Sequence, residues 1–306
     1  MAKRPAVNYL NNRDMLYQIH LSKASFSAYI NKDTDREYDV IIGQGDQPLM
    51  TPEEINEKIL ALDLAELKQL RITRINKHLI HEYTKKYGKP AAKEYAAELD
   101  ATIDNVADSD VVFRVMTYRH VPLAPGRKKT VKSVADSHIR CTFPPYEHYR
   151  IVNSVPVLVG RSHWHVPKTW TGDWEDGKFC VDAGRMTEEL GRMMLKMCER
   201  IGTKGNWRNY TYLDEMKSQA VIQLSAVGLQ FDESRSLNPF SYYTTTVENS
   251  FTKILNTEKQ MQEMRDDILE MNGLAPSFTR QTKNETALMA QYIDSSPSDV
   301  TDIDNY

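Results

Sequence analysis

The most informative segment of the chain reads Asn238-Pro239-Phe240-Ser241-Tyr242-Tyr243-Thr244-Thr245-Thr246-Val247-Glu248-Asn249-Ser250-Phe251-Thr252-Lys253-Ile254-Leu255. Asn238 is a suitable N-cap and Pro239 suits the first helical turn, so the sequence predicts a helix that begins here. Apolar residues then recur mostly every three or four positions, which is typical of a helix with one buried face. The predicted buried stripe consists of Phe240, Tyr243, Val247, Phe251, Ile254 and Leu255.

The other side of this predicted helix carries hydroxyls, carboxamides, one aromatic ring and one lysine. Its members are Tyr242, Thr245, Thr246, Asn249, Lys253 and Asn256. An ordinary solvent face would be richer in Glu and Lys. Side chains of these types hydrogen-bond to base edges and stack on exposed bases, and a helix fits a DNA groove. On periodicity alone, two interpretations stay open: a contact with nucleic acid, or a polar face that is simply solvated or contacts another protein.

Two more amphipathic helices are predicted before this one. The first carries the apolar positions Met186, Leu190, Met193, Met194, Met197 and Ile201, and the second carries Leu213, Met216, Ala220, Val221, Leu224 and Val227. Gly228 is suited to end the second helix, and a polar turn follows at 231–236. Gly273 and Pro276 are expected to end the third helix or a successor.

The first two thirds of the chain mix helical and strand patterns. A short helix is predicted around Met15 and Ile19, a helical region from Thr51 to Gly88, and a further helix from Ala91 to about Val106. Short β-branched runs at 111–115, 149–152 and 155–159 indicate strands. The predicted fold class is therefore mainly α with a small β-rich insert (α+β). The predicted segments are 1–30, helical 31–107, a β-rich insert 108–183, a helical domain 184–283 and an acidic tail 284–306.

Composition excludes several classes of protein. The 306 residues include 41% hydrophobic side chains and only three cysteines, which excludes collagen, a fully disordered chain and a disulfide scaffold. The cysteines Cys141, Cys180 and Cys198 are expected to be buried thiols in a reducing cytoplasm. No apolar run is long enough to span a membrane, so no membrane-spanning segment is expected. The formal net charge of −3 means that any binding of nucleic acid must be local or assisted.

One segment departs from this weakly acidic balance. Residues 114–140 contain one acid, Asp136, and seven basic residues, which are Arg114, Arg119, Arg127, Lys128, Lys129, Lys132 and Arg140. Such a run is either solvated or in contact with DNA or a protein partner, and the sequence leaves both alternatives open.

Residues 184–262 resemble region 2 of bacterial sigma factors, and most closely the late-transcription sigma factors of T-even-type bacteriophages. The resemblance is carried by Gly205-Asn206-Trp207-Arg208-Asn209-Tyr210-Thr211-Tyr212-Leu213-Asp214-Glu215-Met216, by Phe231-Asp232-Glu233, and by Asn238-Pro239-Phe240-Ser241-Tyr242-Tyr243 followed by Asn249-Ser250-Phe251. The opening Asn8-Tyr9-Leu10-Asn11-Asn12-Arg13-Asp14-Met15-Leu16 is similar to the start of that family.

The resemblance implies a function in transcription initiation in the cytoplasm of an infected bacterium. In the family, one helix of region 2 docks on the clamp helices of the host RNA polymerase β′ subunit, and the next recognises and helps to open the −10 element of promoter DNA. The implied polymerase-binding residues are Glu215, Ser218, Gln219, Ile222 and Gln223. The implied DNA-binding residues are Phe240, Tyr242, Tyr243, Thr246, Asn249 and Lys253. Tyr242 is the outward tyrosine by periodicity, whereas Tyr243 matches the tyrosine of the family pattern; Tyr243 and Phe240 alternatively belong to the core.

The chain also departs from the wider sigma family. Primary sigma factors have two adjacent tryptophans where this chain has Thr246 and Val247, and no helix-turn-helix pattern follows Gly273, so recognition of a −35 element is not expected. In the phage branch, the replication sliding clamp instead grips a C-terminal apolar and acidic motif. Here only Val300, Ile303 and Tyr306 offer apolar surface for such a contact.

Two competing functions are considered. His163 and His165, with Cys180 or His148, provide ligand types for the metal site of a hydrolase, but there is no second ligand pair, so the sequence predicts no enzyme, no metal and no cofactor. The second alternative is a phage accessory protein that binds RNA polymerase without reading promoters.

Overall fold

The computed structural model describes residues 10–44, 49–99, 106–124, 133–163 and 184–294. Nine α-helices lie in these ranges: α1 (Asn12–Ser25), α2 (Pro52–Leu60), α3 (Leu64–Tyr87), α4 (Lys89–Leu99), α5 (Val134–Ser137), α6 (Glu188–Gly202), α7 (Leu213–Val227), α8 (Pro239–Met271) and α9 (Phe278–Asp294). The five strands are β1 (Ser27–Tyr29), β2 (Val40–Ile42), β3 (Val112–Met116), β4 (Tyr146–Val152) and β5 (Val155–Ser162). The fold is mostly helical with one small mixed sheet, which confirms the broad α+β class.

The sheet has the strand order β1-β5-β4-β3-β2. All neighbouring pairs are antiparallel except β2 and β3, whose long crossover contains α2, α3 and α4. β4 and β5 form a hairpin whose two loop residues, Asn153 and Ser154, have φ angles of 51° and 64°. Two consecutive residues with positive φ are the hallmark of the tight turn that matches the twist of paired strands.

Helices cover both faces of this sheet. On one face, Ile55 and Ile59 of α2 and Leu67 of α3 pack against sheet residues such as Phe113 and Val115. On the other face lies a larger core that joins α1, α6, α7 and α8. Because successive side chains of a strand point to opposite faces, Arg114 of β3 points toward this second core.

Local signals set most helix ends where the sequence predicts them. Asn11, Thr51, Thr187 and Asn238 act as N-caps whose side chains accept backbone amide hydrogens. The predicted helical region from Thr51 onward is divided, because the chain turns after Leu60 and Asp63 caps a new helix. A cap side chain that satisfies the free amides of a first turn favours a new start over continuation.

The structure corrects two expectations about organisation. The sheet is not confined to residues 108–183, because β1 and β2 come from residues 27–42 and are too short to give a readable alternation. Arg114 is not part of an exposed basic segment, since it is fully buried in β3. In addition, the first part of the predicted acidic tail is helical, because α9 continues through Asp294 on good helix formers such as Ala287 and Leu288.

Other expectations concern the cysteines, the basic loop and membranes. Cys198 is buried as expected, whereas Cys141 is partly exposed. Residues 125–132, with most of the basic run, and Cys180 lie outside the described residues. No helix in the described part of the chain combines the length and apolar character that a membrane span needs.

Candidate functional site

The start of α8 is fixed by contacts from two directions. The side-chain oxygen of Asn238 accepts a hydrogen bond from the Ser241 amide at 3.1 Å, which caps the helix locally. The Phe240 amide donates to the side-chain oxygen of Asn12 at 3.1 Å, so the first helix of the chain also holds this end. The orientation of α8 therefore depends on α1 as well as on its own N-cap.

The buried face of α8 forms the centre of the larger core. Tyr243, Val247 and Phe251 are fully buried, and the Phe251 ring meets Trp207 edge-to-face with centroids 5.4 Å apart. Ile254 and Leu255 pack at the margin of the same core. This part of the predicted stripe is confirmed.

Phe240 is the exception in that stripe, because 41% of its surface is exposed. In its place, the neighbouring Pro239 is buried at the helix start. Leu237, just before the helix, is 72% exposed. Phe240 is therefore available to a ligand, as the DNA-binding assignment requires, and the prediction that it faces inward is wrong.

The two adjacent tyrosines have different environments. The Tyr243 ring is fully buried and its hydroxyl donates to the carbonyl oxygen of Gly228 at 2.8 Å. The Tyr242 ring is only partly buried, and its hydroxyl donates to the carbonyl oxygen of Val227 at 3.1 Å. Tyr243 is therefore a core residue in this conformation and exposes no ring surface to a base, which favours the alternative that it belongs to the core. Tyr242 keeps an exposed edge.

The remaining predicted DNA-binding residues lie along the outer side of α8. Asn249 and Lys253 are exposed, and Thr246 is half-buried. The Thr246 hydroxyl donates to the Tyr242 carbonyl at 2.9 Å, so its oxygen can still accept a hydrogen bond. Tyr242, Thr246, Asn249 and Lys253 recur every three or four residues and therefore share one side of the helix. Phe240 lies on a different side, in line with the buried stripe, and is exposed at the start of the helix. We call these five residues the α8 face.

The predicted polymerase-binding residues share the outer side of α7. Its inner side is formed by Met216, Ala220 and Leu224, which are fully buried. The outer residues, which we call the α7 face, are Glu215, Ser218, Gln219, Ile222 and Gln223, and all are exposed except the half-buried Gln219. Ile222 has 60% of its surface exposed in the middle of this face, so it is a ready apolar anchor for a partner.

A buried group of charged side chains joins the sheet, α1 and the turn before α8. The Lys23 ammonium donates to Glu233 Oε2 and to the Phe231 carbonyl, each at 2.6 Å. Arg114 Nη1 lies 4.0 Å from Glu233 Oε1. The Arg114 guanidinium also stacks between the rings of Tyr38 and Tyr146, with centroid distances of 3.9 and 4.0 Å.

Two histidines complete this group. Arg114 Nε donates to His148 Nε2 at 2.9 Å, and His148 Nδ1 lies 2.7 Å from the carbonyl oxygen of Asp35. Arg114 Nη2 lies 3.0 Å from His20 Nδ1. A neutral His148 with its proton on Nδ1 satisfies both of its contacts. We call Lys23, Arg114, Glu233, His20 and His148 the junction cluster.

Burial and charge pairing set the protonation of the junction cluster. Burial lowers the pKa of Lys23, and the carboxylate of Glu233 opposes this effect. Burial acts to raise the pKa of Glu233, but Lys23 and Arg114 outweigh it and the pKa is lowered. Burial and Arg114 lower the pKa of His148, so the neutral ring is the stable form at neutral pH. The cluster is therefore held by ionised Lys23, Arg114 and Glu233.

Sequence reasoning missed the junction cluster, although two signals for it are present. Lys23 follows Met15 and Ile19 at intervals of four residues, so it continues the buried stripe of α1. Arg114 interrupts the apolar run Val111–Val115, where a charged side chain is expected to need a partner. Neither signal identifies Glu233 as a partner, because Glu233 is more than 200 positions away from Lys23 along the chain.

The two described members of the candidate metal site, His163 and His148, have other partners. His163 is buried, and its Nδ1 lies 2.9 Å from the Phe26 carbonyl oxygen, while His148 belongs to the junction cluster. His165 and Cys180 lie outside the described residues, as do Val300, Ile303 and Tyr306 of the predicted clamp motif. The described ranges contain no cluster of three or more His, Cys, Asp or Glu side chains suited to hold a metal ion.

Comparison of the chain with protein-family models, with curated proteins and with solved structures finds no match.

Proposed function

We propose that this protein is a phage late-transcription sigma factor that binds host core RNA polymerase and directs it to T/A-rich, −10-like promoters without recognising a −35 element. The observation that carries the proposal is the arrangement of the segments that resemble sigma region 2. They form three packed helices, α6, α7 and α8, whose shared core leaves the α7 face and the α8 face exposed on neighbouring helices.

The α8 face has the chemistry needed at a promoter that is being opened. An unstacked base needs a substitute surface, and Tyr242 and Phe240 offer partly exposed aromatic rings at the start of the helix. The Thr246 methyl suits the thymine methyl group, the Asn249 carboxamide suits an adenine edge, and the Lys253 ammonium suits a phosphate. Since Tyr243 is in the core, Tyr242 is the stacking tyrosine in this proposal.

The α7 face is the proposed docking surface for the clamp helices of the polymerase β′ subunit. Its apolar centre, Ile222, is surrounded by polar side chains that can pair with polar groups of a partner. An exposed apolar anchor inside a polar rim is the common anatomy of a protein interface.

The experiment that tests the proposal is run-off transcription with host core polymerase and a T/A-rich −10-like template. We expect specific initiation with the wild-type chain and at least a roughly tenfold loss in a Tyr242→Ala/Asn249→Ala variant, because a lost stacking or base-edge contact costs about 1–3 kcal/mol. That variant should still bind core polymerase in a pull-down. Ile222→Glu should lose core binding.

Matched controls lie on other parts of α8. Lys259→Ala removes an exposed lysine six residues beyond Lys253, which is about a third of a turn away around the helix. It should initiate like the wild type, whereas Lys253→Ala should not. Absence of core binding by the wild-type chain would contradict the proposal outright.

The proposal includes a contact of the acidic C-terminal end with a replication sliding clamp through Val300, Ile303 and Tyr306. It rests on the resemblance and on those apolar residues alone. A pull-down with the phage clamp should lose its signal in a Val300→Asp/Ile303→Asp variant. Retention of the signal would remove this part of the proposal and leave promoter recognition standing.

The burial of Tyr243 favours one alternative, a polymerase-binding accessory protein that does not read promoters, because it leaves fewer aromatic rings for melted DNA. The run-off transcription assay distinguishes this accessory protein from a sigma factor. An accessory protein would bind core polymerase through Ile222 but give no specific start unless another sigma factor is added.

A further inference from the structure

The hairpin formed by α3 and α4 presents a second surface with chemistry for nucleic acid. α3 ends at Tyr87, and α4 begins at Lys89 after a single residue, Gly88, whose φ is 90°. A positive φ of this size is favourable only for glycine, and it turns the chain sharply. As a result α4 folds back along α3, and Tyr95 meets Tyr83.

Three tyrosine rings lie next to one another on this hairpin. The rings of Tyr83 and Tyr95 are stacked nearly parallel, at an interplanar angle of 10° and a centroid distance of 4.2 Å. The ring of Tyr87 lies 4.6 Å from Tyr83 and is tilted by 42° against it. Tyr87 has 55% of its surface exposed, so the row ends in an aromatic side chain that is accessible to a ligand.

Lysines are frequent in this part of the sequence, and one of them lies over the Tyr87 ring. Between Lys77 and Lys93 the sequence has five lysines and a single acid, Glu82, in a chain whose net charge is −3. Lys77, Lys86 and Lys93 are exposed, and the Lys86 ammonium lies 5.0 Å from the centroid of the Tyr87 ring. A local positive surface of this kind attracts phosphates within about 10 Å at ordinary salt.

We infer that the α3–α4 hairpin binds single-stranded nucleic acid, with one base stacked on Tyr87 and the neighbouring phosphates on Lys86 and Lys93. An aromatic platform beside cations is the common solution for single strands, because every base offers a π face and every linkage a charge. An acidic peptide would pair with the lysines but would leave the exposed ring without a role. α3 packs on the sheet face opposite to α8, so this surface is separate from the α8 face and does not depend on the proposed function.

The test is fluorescence anisotropy of a labelled 20-nucleotide oligo-dT with the full chain, at two salt concentrations. We expect binding at about 50 mM salt that weakens at about 200 mM. Tyr87→Ala should weaken it about tenfold, while Tyr87→Phe, which keeps the ring, should bind like the wild type. Lys93→Glu should weaken binding and reduce the salt slope, and Lys32→Glu, at an exposed lysine outside the hairpin, should do neither.

Each contrary result overturns the inference. Equal affinities for Tyr87→Ala and Tyr87→Phe would mean that no base stacks on this ring. Equal losses in Lys93→Glu and Lys32→Glu would mean that only overall charge matters. A 20-base-pair duplex that binds as tightly as oligo-dT would exclude preference for a single strand. Thermal melting by circular dichroism checks that the variants fold.

Discussion

The junction cluster and the α8 face use similar polar and aromatic groups in opposite ways. In the junction cluster, Lys23 and Arg114 are fully buried, and their charges meet Glu233, a carbonyl oxygen and two aromatic rings. On the α8 face, Asn249 and Lys253 point into solvent. A buried charge must be paired to be tolerated, whereas an exposed group keeps its bonding capacity for a ligand. The comparison separates residues that hold the fold from residues that can act on a partner.

Substitution within the junction cluster should have the largest effect on stability. Lys23→Met leaves the Glu233 carboxylate buried with only a distant contact to Arg114, so we expect the free energy of unfolding to fall by about 3–5 kcal/mol. Urea denaturation followed by circular dichroism measures the loss. Lys32→Met, at an exposed lysine, should change the unfolding free energy by less than about 0.5 kcal/mol. A loss below about 1 kcal/mol for Lys23→Met would mean that the pair does not hold the junction.

A fall in pH should lower the free energy of unfolding through buried histidines such as His120, which are neutral in the folded state. Burial lowers the pKa of His120 to about 4, against 6.5 for a free histidine, and a neutral His120 can donate to the Ser162 carbonyl oxygen at 2.9 Å. Because the unfolded chain binds a proton that the folded chain does not, stability is complete above about pH 6.5 and falls as the pH decreases toward about 4. His120 should account for a loss on the order of 3 kcal/mol in the free energy of unfolding over this pH range.

Unfolding free energies measured at several pH values between 7.5 and 4 check this dependence. His120→Gln keeps a hydrogen-bond donor but cannot titrate, so its stability should decline less steeply with falling pH. Burial also lowers the pKa values of His20 and His148, so part of the decline should persist in the variant. An identical slope in the variant and the wild type would contradict the assignment to His120.

The two adjacent tyrosines allow a buried hydroxyl to be compared with a partly exposed one within a single turn of α8. Tyr243→Phe leaves the buried Gly228 carbonyl without its donor, and we expect a loss of about 1–3 kcal/mol in unfolding free energy. Tyr242→Phe removes a bond at a partly exposed site, where water can replace the donor, so the loss should be below about 1 kcal/mol. Equal losses would mean that the environments of the two hydroxyls do not differ as the structure describes.

The smallest effect on stability is expected on the α8 face. Asn249→Ala/Lys253→Ala removes two exposed side chains, and the free energy of unfolding should stay within about 0.5 kcal/mol of the wild type. The same variant should initiate transcription poorly in the run-off assay if the proposed function is correct. A large loss of stability instead would place these residues with those that hold the fold.

The sequence predicted helices and strands better than it predicted which distant segments pack against them. The starts of the helices at Thr51 and Asn238 could be read from caps and from proline, and the buried positions Val247 and Phe251 could be read from spacing. These signals work because capping and helical periodicity involve residues within a few positions of each other. The inward position predicted for Phe240 was wrong, since the neighbouring Pro239 is the buried residue at the helix start.

By itself, the amino-acid sequence determined most of the long helices, most of their buried stripes and the three central strands of the sheet, because each depends on neighbours along the chain. Only the tertiary structure decided that β1 and β2 join this sheet, that Lys23 and Arg114 share Glu233, and that Tyr243 is buried while Tyr242 keeps an exposed edge. Burial and charge pairing depend on which distant segments pack together, and the spacing of residues along a chain carries no information about that choice.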